Sequence, residues 1–265
     1  MKTAIIQMRS GTEVAENIKA AVALIRKAAN DGARFIATPE MTHLMQRDGK
    51  ALKKAVRTQD KDLGVKAFSE VARMLDVHLL IGSLAIKRDD GQIANRSFVF
   101  GPDGGITASY DKINLFEAAI SKTDTWREAD TYAAGETSTV ASIDDFDLGL
   151  SICYDLRFPN LYKSYAHARA NVISVPSAFT RATGKAHWET LLRARAIETG
   201  AYIIAPAQGG THKDGRKTWG HSMIVGPWGE VLAHIDDDKP GYMLADINLS
   251  EVEKARAKLP AWQQT

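Results

Sequence analysis

The sequence predicts a layered α/β fold, two sheets packed face to face with helices outside. Three observations carry this. Short buried-strand runs alternate along the chain with amphipathic helix patterns. Several strands come as hairpin pairs around turn residues, so antiparallel pairs are interspersed among the alternating units. No linker, repeat or low-complexity tract divides the 265 residues.

Residues 3–8 read as a buried strand. Residues 12–30 place Val14, Ile18, Ala21, Val22 and Ile25 on one helix stripe, and Asp31-Gly32 stops that helix. Residues 34–38 form a second strand, ending in Pro39-Glu40-Met41. Residues 62–75 are an amphipathic helix and 77–86 another buried strand. Strands at 93–101 and 106–110 are joined by Pro102-Asp-Gly-Gly105, a turn that precedes no helix and so has no phosphate-binding role. Residues 111–135 are polar and irregular, a loop long enough to be functional or disordered. Residues 140–142 and 146–152 pair around Ile143-Asp-Asp145, a helix covers 159–169, and a strand covers 172–176. Residues 184–199 place Trp188, Leu191, Leu192, Ala196 and Thr199 on one helix face, and 202–207 are a strand. Strands at 223–225, 230–235 and 241–246 close the pattern as a meander, with Gly226-Pro-Trp-Gly229 as a turn.

The composition, 45% hydrophobic and 25% charged, is that of a globular protein. Net charge is +2 with Lys and Arg spread along the chain, which argues against a nucleic-acid surface and a polybasic membrane anchor. No apolar run is long enough to span a bilayer, and no apolar core follows a basic start, so no export signal is expected. With one cysteine, this points to a reducing compartment, the cytoplasm.

That cysteine, Cys153, follows the apolar Leu148, Leu150 and Ile152 and precedes a helix beginning near Phe158-Pro159. At a strand-to-helix junction the first-turn N–H groups favour a thiolate; the competing interpretation is a small buried hydrophobe. Its partners decide. A thiol attacking a carbon–nitrogen bond needs a group to take its proton, a group to hold the developing negative charge, and a proton for the leaving amine. The seven histidines are scattered, with no cysteine-protease context. Zinc spacing is absent too, and neither a metal nor a cofactor is expected. Glu40 and Lys112 each directly follow a strand end and Cys153 ends a third strand, and strand ends of an α/β sheet converge on one edge. Burial would raise the Glu40 pKa toward that of a useful base. Lys112 would hold an oxyanion and favour the thiolate. Against this stands the commoner fate of either residue, a solvated loop charge.

Pro39-Glu40, Tyr110-Asp-Lys112-Ile-Asn-Leu-Phe116 and Cys153-Tyr-Asp-Leu-Arg-Phe-Pro159, in that order, resemble the three signature blocks of the nitrilase superfamily of carbon–nitrogen hydrolases. The likeness runs from Ala4-Ile-Ile-Gln7 to Gly220-His-Ser-Met-Ile-Val-Gly-Pro-Trp-Gly-Glu230. The resemblance implies a four-layer αββα sandwich of two mixed β-sheets flanked by helices, as one carbon–nitrogen hydrolase domain over residues 1–265. It implies a homodimer or higher homo-oligomer, paired through the helix after Cys153 and the helix near Trp188. By the same resemblance Cys153 is the nucleophile, Glu40 the general base, Lys112 an oxyanion stabiliser and the Tyr154 N–H a second oxyanion donor. Glu128, before Tyr132-Ala-Ala-Gly135, matches an additional active-site carboxylate, while Glu117 and Glu136 read as solvated loop charges.

Cys153-Tyr-Asp-Leu-Arg-Phe-Pro159, Pro176-Ser-Ala-Phe-Thr180 and Thr183-Gly-Lys-Ala-His-Trp188 resemble the ω-amidase and deaminated-glutathione-amidase branch. The expected reaction is metal-independent hydrolysis of a small carboxylate-bearing amide through a cysteine acyl-enzyme. Nitrile and N-carbamoyl hydrolysis are the alternatives within the family, and a non-catalytic binding or scaffolding role is the alternative outside it. A thiol redox sensor lacks its resolving cysteine. Arg157 either grips a substrate carboxylate or pairs with Asp155 or another carboxylate. Phe179 and Thr183 are expected in the pocket wall. His187, Trp188, Arg193, Arg195 and Glu198 are expected in packing and ion pairs, with Trp219 and Trp228 in packing or an interface. Residues 114–125 lack the early glycine-proline turn of that branch, so loop shape is where the chain departs from it.

Overall fold

The structure, a computed structural model, describes residues 1–121, 124–144 and 146–263; Lys122, Thr123, Asp145, Gln264 and Thr265 lie outside them. The first half of the chain runs β1 (Lys2–Gln7), α1 (Val14–Asn30), β2 (Phe35–Ala37), α2 (Gly49–Ala55), β3 (Arg57–Thr58), α3 (Leu63–Leu75), β4 (His78–Lys87), β5 (Ile93–Phe100) and β6 (Ile106–Asp111). A hairpin of β7 (Glu117–Ser121) and β8 (Asp124–Arg127) follows. The second half runs β9 (Val140–Ile143), β10 (Phe146–Leu150), α4 (Pro159–His167), β11 (Val172–Ser174), α5 (Arg181–Thr199) and β12 (Tyr202–Ala205). It continues through β13 (Gly209–Thr211), β14 (Lys217–Trp219), β15 (Met223–Val225), β16 (Val231–His234), β17 (Gly241–Asp246) and α6 (Leu249–Lys258).

Two mixed sheets form. The first has the order β17-β1-β2-β4-β5-β6, with β3 added beside β4; the second has the order β16-β15-β12-β11-β10-β9. In each, the central strands are parallel and the flanking ones antiparallel.

Strand periodicity decides the layers. Successive side chains point to opposite faces, so alternate residues of one apolar run serve two cores. In the first sheet Ala4, Ile6, Ile36, Leu79, Ile81, Phe98 and Phe100 pack with Ala21, Ile25 and Ala28 of α1 and Phe68 and Val71 of α3. Their neighbours Ile5, Phe35, Ala37, Leu80 and Val99 join Leu148, Leu150, Ile173 and Ile204 of the second sheet. Burial on both faces is why these strands read as continuous apolar runs rather than alternating ones. Tyr162, Tyr165, Trp188, Leu192 and Ala196 of α4 and α5 close the same core from outside. The result is the four-layer αββα sandwich.

The helix limits have local causes. Asp62 caps α3 by accepting from the N–H groups of Gly64 (2.8 Å) and Val65 (3.0 Å), and Asp76 ends it at φ 52°. The Thr180 hydroxyl caps α5, which therefore starts at Arg181, three residues before the start expected from the sequence, and Gly200 ends it. Residues 111–135 are not irregular throughout: they hold the β7–β8 hairpin and a 3₁₀ turn over Glu128–Asp130. Cys153 does not end a strand. The strand β10 stops at Leu150, and a 3₁₀ turn over Cys153–Arg157 separates it from α4.

Candidate active site

Glu40, Lys112 and Cys153 come together at the C-terminal ends of β2, β6 and β10, only 4%, 2% and 7% exposed. The Glu40 loop is stitched to a bulge in β4: Met41 N–H donates to Ser83 Oγ (2.9 Å) and Thr42 N–H to Ser83 O (2.9 Å). At Gly82 any Cβ would collide with Thr38 O and Pro176, so the glycine is what lets the two sheets close at this edge. Gln208 Nε2 adds a bond to the Glu40 carbonyl (2.9 Å). Lys112 is held on both sides, its N–H on Asn95 O (2.9 Å) and its carbonyl on Gly135 N–H (2.8 Å).

The next segment is buckled to the second sheet by Asp155. This carboxylate accepts from the Tyr110 hydroxyl (2.7 Å), Asn114 N–H (2.9 Å), Asn114 Nδ2 (2.8 Å) and Ile152 N–H (2.9 Å). Cys153 sits at φ 51° with its N–H on Pro176 O (2.9 Å). A left-handed conformation in a non-glycine residue costs on the order of 1–3 kcal/mol and persists where the surroundings fix it. It turns the side chain out of the strand direction at the start of a 3₁₀ turn, whose first N–H groups have no intrahelical partner.

Around Lys112 the charges are tightly matched. Its Nζ donates to Glu40 Oε1 (2.9 Å) and Glu128 Oε2 (2.8 Å). Glu128 Oε2 also accepts from Phe116 N–H (2.7 Å). Burial by itself would raise the Glu40 carboxyl, but the Lys112 charge and bonds from Lys112, Cys153 and Asn95 outweigh it and hold the pKa below the ordinary value. Burial likewise pulls against the Lys112 ammonium, and Glu128 and Glu40 push its pKa well up. The Cys153 thiol is raised well above its ordinary range, by burial first and then by the Glu40 charge, against the opposing pull of Lys112. Two sequence expectations are thereby corrected. Glu40 is lowered rather than raised, and the thiol stays protonated because the adjacent carboxylate and burial outweigh the first-turn N–H groups. The resting arrangement is a neutral thiol beside a carboxylate, with an ammonium next to both, so the carboxylate can accept the thiol proton as sulfur attacks.

Every site residue expected from the sequence lines one cavity of about 300 Å³. Arg157 meets His187 Nδ1 at 3.3 Å and lies over the rings of Tyr154 (5.9 Å) and Phe179 (5.3 Å). Among the described residues it pairs with no carboxylate, and Asp155 is occupied elsewhere. Phe179 packs on Trp188 at 4.9 Å, and the Thr183 hydroxyl meets that of Thr180 at 2.9 Å. Arg47, Arg127 and Lys217 add positive charge to the lining, against Asp130. Glu117 is exposed and 3.8 Å from Arg127, and Glu136 is exposed, so both are solvated charges. Arg195 pairs with Glu198 (2.9 Å), Arg193 with Glu189 (3.4 Å), and Trp188 Nε1 donates to His221 O (2.8 Å). Trp219 stacks on His221 at 4.0 Å, whereas Trp228 is 59% exposed. Sequence reasoning missed Asn95, whose Nδ2 reaches Glu40 Oε1 (2.9 Å) and Glu128 Oε1 (3.0 Å). Its signal was an amide inside the strand Ile93-Ala-Asn-Arg-Ser-Phe-Val-Phe100, where a buried polar group demands partners.

A family model described as carbon-nitrogen hydrolase matches residues 2–257, and the chain belongs to that family. A Synechocystis relative named deaminated glutathione amidase is 38% identical, the match covering 98% of this chain and 96% of the relative. The human protein named omega-amidase NIT2 is 32% identical over 99% of this chain and 94% of its own. Among solved structures, the C. elegans NitFhit protein superposes with a TM-score of 0.91 at 33% identity, covering all of this chain and 64% of that longer one. Saccharomyces cerevisiae Nit3 superposes at 0.88 with 25% identity, over 98% of this chain and 94% of its own. Family and relatives agree with the expectation of an enzyme of amide carbon–nitrogen bonds.

Proposed function

We propose that this carbon–nitrogen hydrolase cleaves a small carboxylate-bearing amide, such as deaminated glutathione or the ω-amide of a 2-oxo acid. The observation that carries the reading is the buried Cys153 thiol sharing one cavity with the Glu40–Lys112 pair, where the remaining charges are mostly cationic. Cys153 Sγ adds to the amide carbonyl carbon while Glu40 takes the thiol proton. The carbonyl oxygen becomes an oxyanion held by Lys112 and the Tyr154 N–H. Collapse breaks the carbon–nitrogen bond, Glu40 returns the proton to the departing nitrogen, and ammonia or amine leaves a thioester. Water, deprotonated by Glu40 or Glu128, adds to the thioester carbon and releases the acid and the thiol. Arg157 grips the substrate carboxylate, with Phe179 and Thr183 shaping the wall beside it.

The whole chain works as one catalytic domain, in the cytoplasm and as a homodimer or higher homo-oligomer, on this proposal. Supporting that setting, no helix among the described residues is long and apolar enough to cross a membrane. The test is release of ammonia or amine from a panel holding anionic amides, a neutral aliphatic amide, a nitrile and an N-carbamoyl compound. Glu40→Gln is expected to lower kcat by about 10²–10⁴-fold with the fold retained, and Cys153→Ala to abolish turnover. Arg157→Ala is expected to raise KM for anionic amides about tenfold or more while sparing neutral ones. Wild-type rates in Glu40→Gln would overturn the role of base. Turnover of the nitrile or carbamoyl compound alone would overturn the substrate class.

A further inference from the structure

We infer that Asn95 is a positioning residue of the reaction, closing a hydrogen-bonded ring that assigns the two oxygens of Glu40 to different tasks. The ring runs Lys112–Glu40–Asn95–Glu128 and back. Glu40 Oε1 accepts from both Lys112 Nζ (2.9 Å) and Asn95 Nδ2 (2.9 Å). Glu128 Oε1 accepts from Asn95 Nδ2 (3.0 Å) and its Oε2 from Lys112 Nζ (2.8 Å). The two hydrogens of one amide thus serve two carboxylates that lie on one ammonium. With Oε1 doubly occupied, Oε2 of Glu40 takes no bond from the ring and is left for the proton of Cys153.

The cost of the arrangement argues that it serves the reaction. Asn95 is 1% exposed, and its Oδ1 is buried without a hydrogen-bond partner. An amide placed for stability alone would satisfy both ends, since an unmet buried acceptor is destabilising. Both of its donors go to the carboxylates. Its backbone carbonyl meanwhile accepts from Lys112 N–H (2.9 Å), so one strand position sets both the main chain of Lys112 and the carboxylates on its Nζ. A donor to a carboxylate favours the ionised form, and Asn95 is among the groups that lower Glu40. A group that merely filled space would have no such effect.

The inference rests on Glu40 as the base, and the experiment separates the two. Asn95→Ala and Asn95→Asp are compared with wild type by the pH profile of kcat/KM, by alkylation of Cys153 with iodoacetamide across pH, and by melting temperature. Losing the donor raises the Glu40 pKa, and replacing it with a third carboxylate raises it further. The acid limb is therefore expected to move up by about one pH unit in Asn95→Ala and by more in Asn95→Asp. The drop should fall on kcat rather than KM. Alkylation needs no turnover and should show the same displaced limb in a variant too slow to assay. Should Asn95→Ala fail to fold, the near-isosteric Asn95→Asp carries the test. Limbs unmoved in both assays, with only the melting temperature lowered, would reduce Asn95 to a structural residue and overturn the inference. If Glu40→Gln also keeps wild-type turnover, the failure lies with Glu40 as base; if it loses turnover, only the assignment of Asn95 fails.

Discussion

At the scale of single residues, the site depends on two displacements of opposite sign. Glu40 is held below its ordinary 4.5, because the ammonium of Lys112 and its hydrogen-bond donors outweigh burial. Cys153 is held above its ordinary 9.0 by burial and by the neighbouring carboxylate. On the proposed mechanism Glu40 must be ionised to accept a proton, so activity would be lost only as pH falls through the depressed carboxylate value. On the same proposal the thiol keeps its proton until attack, so activity would fall as pH rises through the raised thiol value. The kcat/KM profile is accordingly expected to be flat across neutral pH, with an acid limb below 4.5 and an alkaline limb above 9.0. Brief pH-jump assays, read before acid unfolding intervenes, would measure it, and a limb near pH 7 would contradict the assignment. That these residues would gather in one pocket was legible in the sequence, because the three short blocks that carry the family resemblance follow strands. Their protonation was not. Burial and the charge of a partner pull in opposite directions, and only the distances around Lys112 decide which prevails.

At the scale of elements, long apolar runs and helix stripes could be seen, while short polar pieces could not. The helix α2, Gly49-Lys-Ala-Leu-Lys-Lys-Ala55, buries only Leu52 and has no stripe to see. The pair β13–β14 is short and glycine-bearing, and β7–β8 lies in a stretch without alternation. Yet these pieces shape the pocket. Lys217 and Thr218 of β14 line it, and Trp219 N–H holds Phe179 O at 2.9 Å. The first turn of α5 rests on Trp219 at Gly184, where any Cβ would meet the indole. Gly184→Ala is expected to push the two apart, costing about 1–3 kcal/mol and raising KM as Phe179 and Thr183 shift. A thermal melt and steady-state kinetics would check it. Unchanged stability and KM would show that this contact does not set the wall.

At the scale of the whole molecule, α4 and α5 cover one face of the second sheet, and apolar side chains remain uncovered nearby. Ile197 is 47% exposed and Trp228 59%. A chain of 29.0 kDa that pairs through this face is expected to run at about twice that mass in light scattering at micromolar concentration. Ile197→Glu should shift it toward the monomer, and a wild-type monomer would refute the pairing. The two-sheet architecture was readable from the sequence because continuous apolar runs mark strands buried on both faces. Ile5 belongs to one and Ile6 to the other.

The division of labour between the sheets has a consequence for how the enzyme comes into being. Asn95 lies in the first sheet, Glu40 and Lys112 follow strands of it and Glu128 follows the β7–β8 hairpin, while Cys153 follows a strand of the second. On the proposed roles neither sheet by itself supplies a complete site, so a partly folded state with only one sheet formed would not turn over substrate. In a refolding experiment the onset of hydrolysis would therefore timestamp the docking of the two sheets. The chemistry doubles as an internal clock for the last act of assembly.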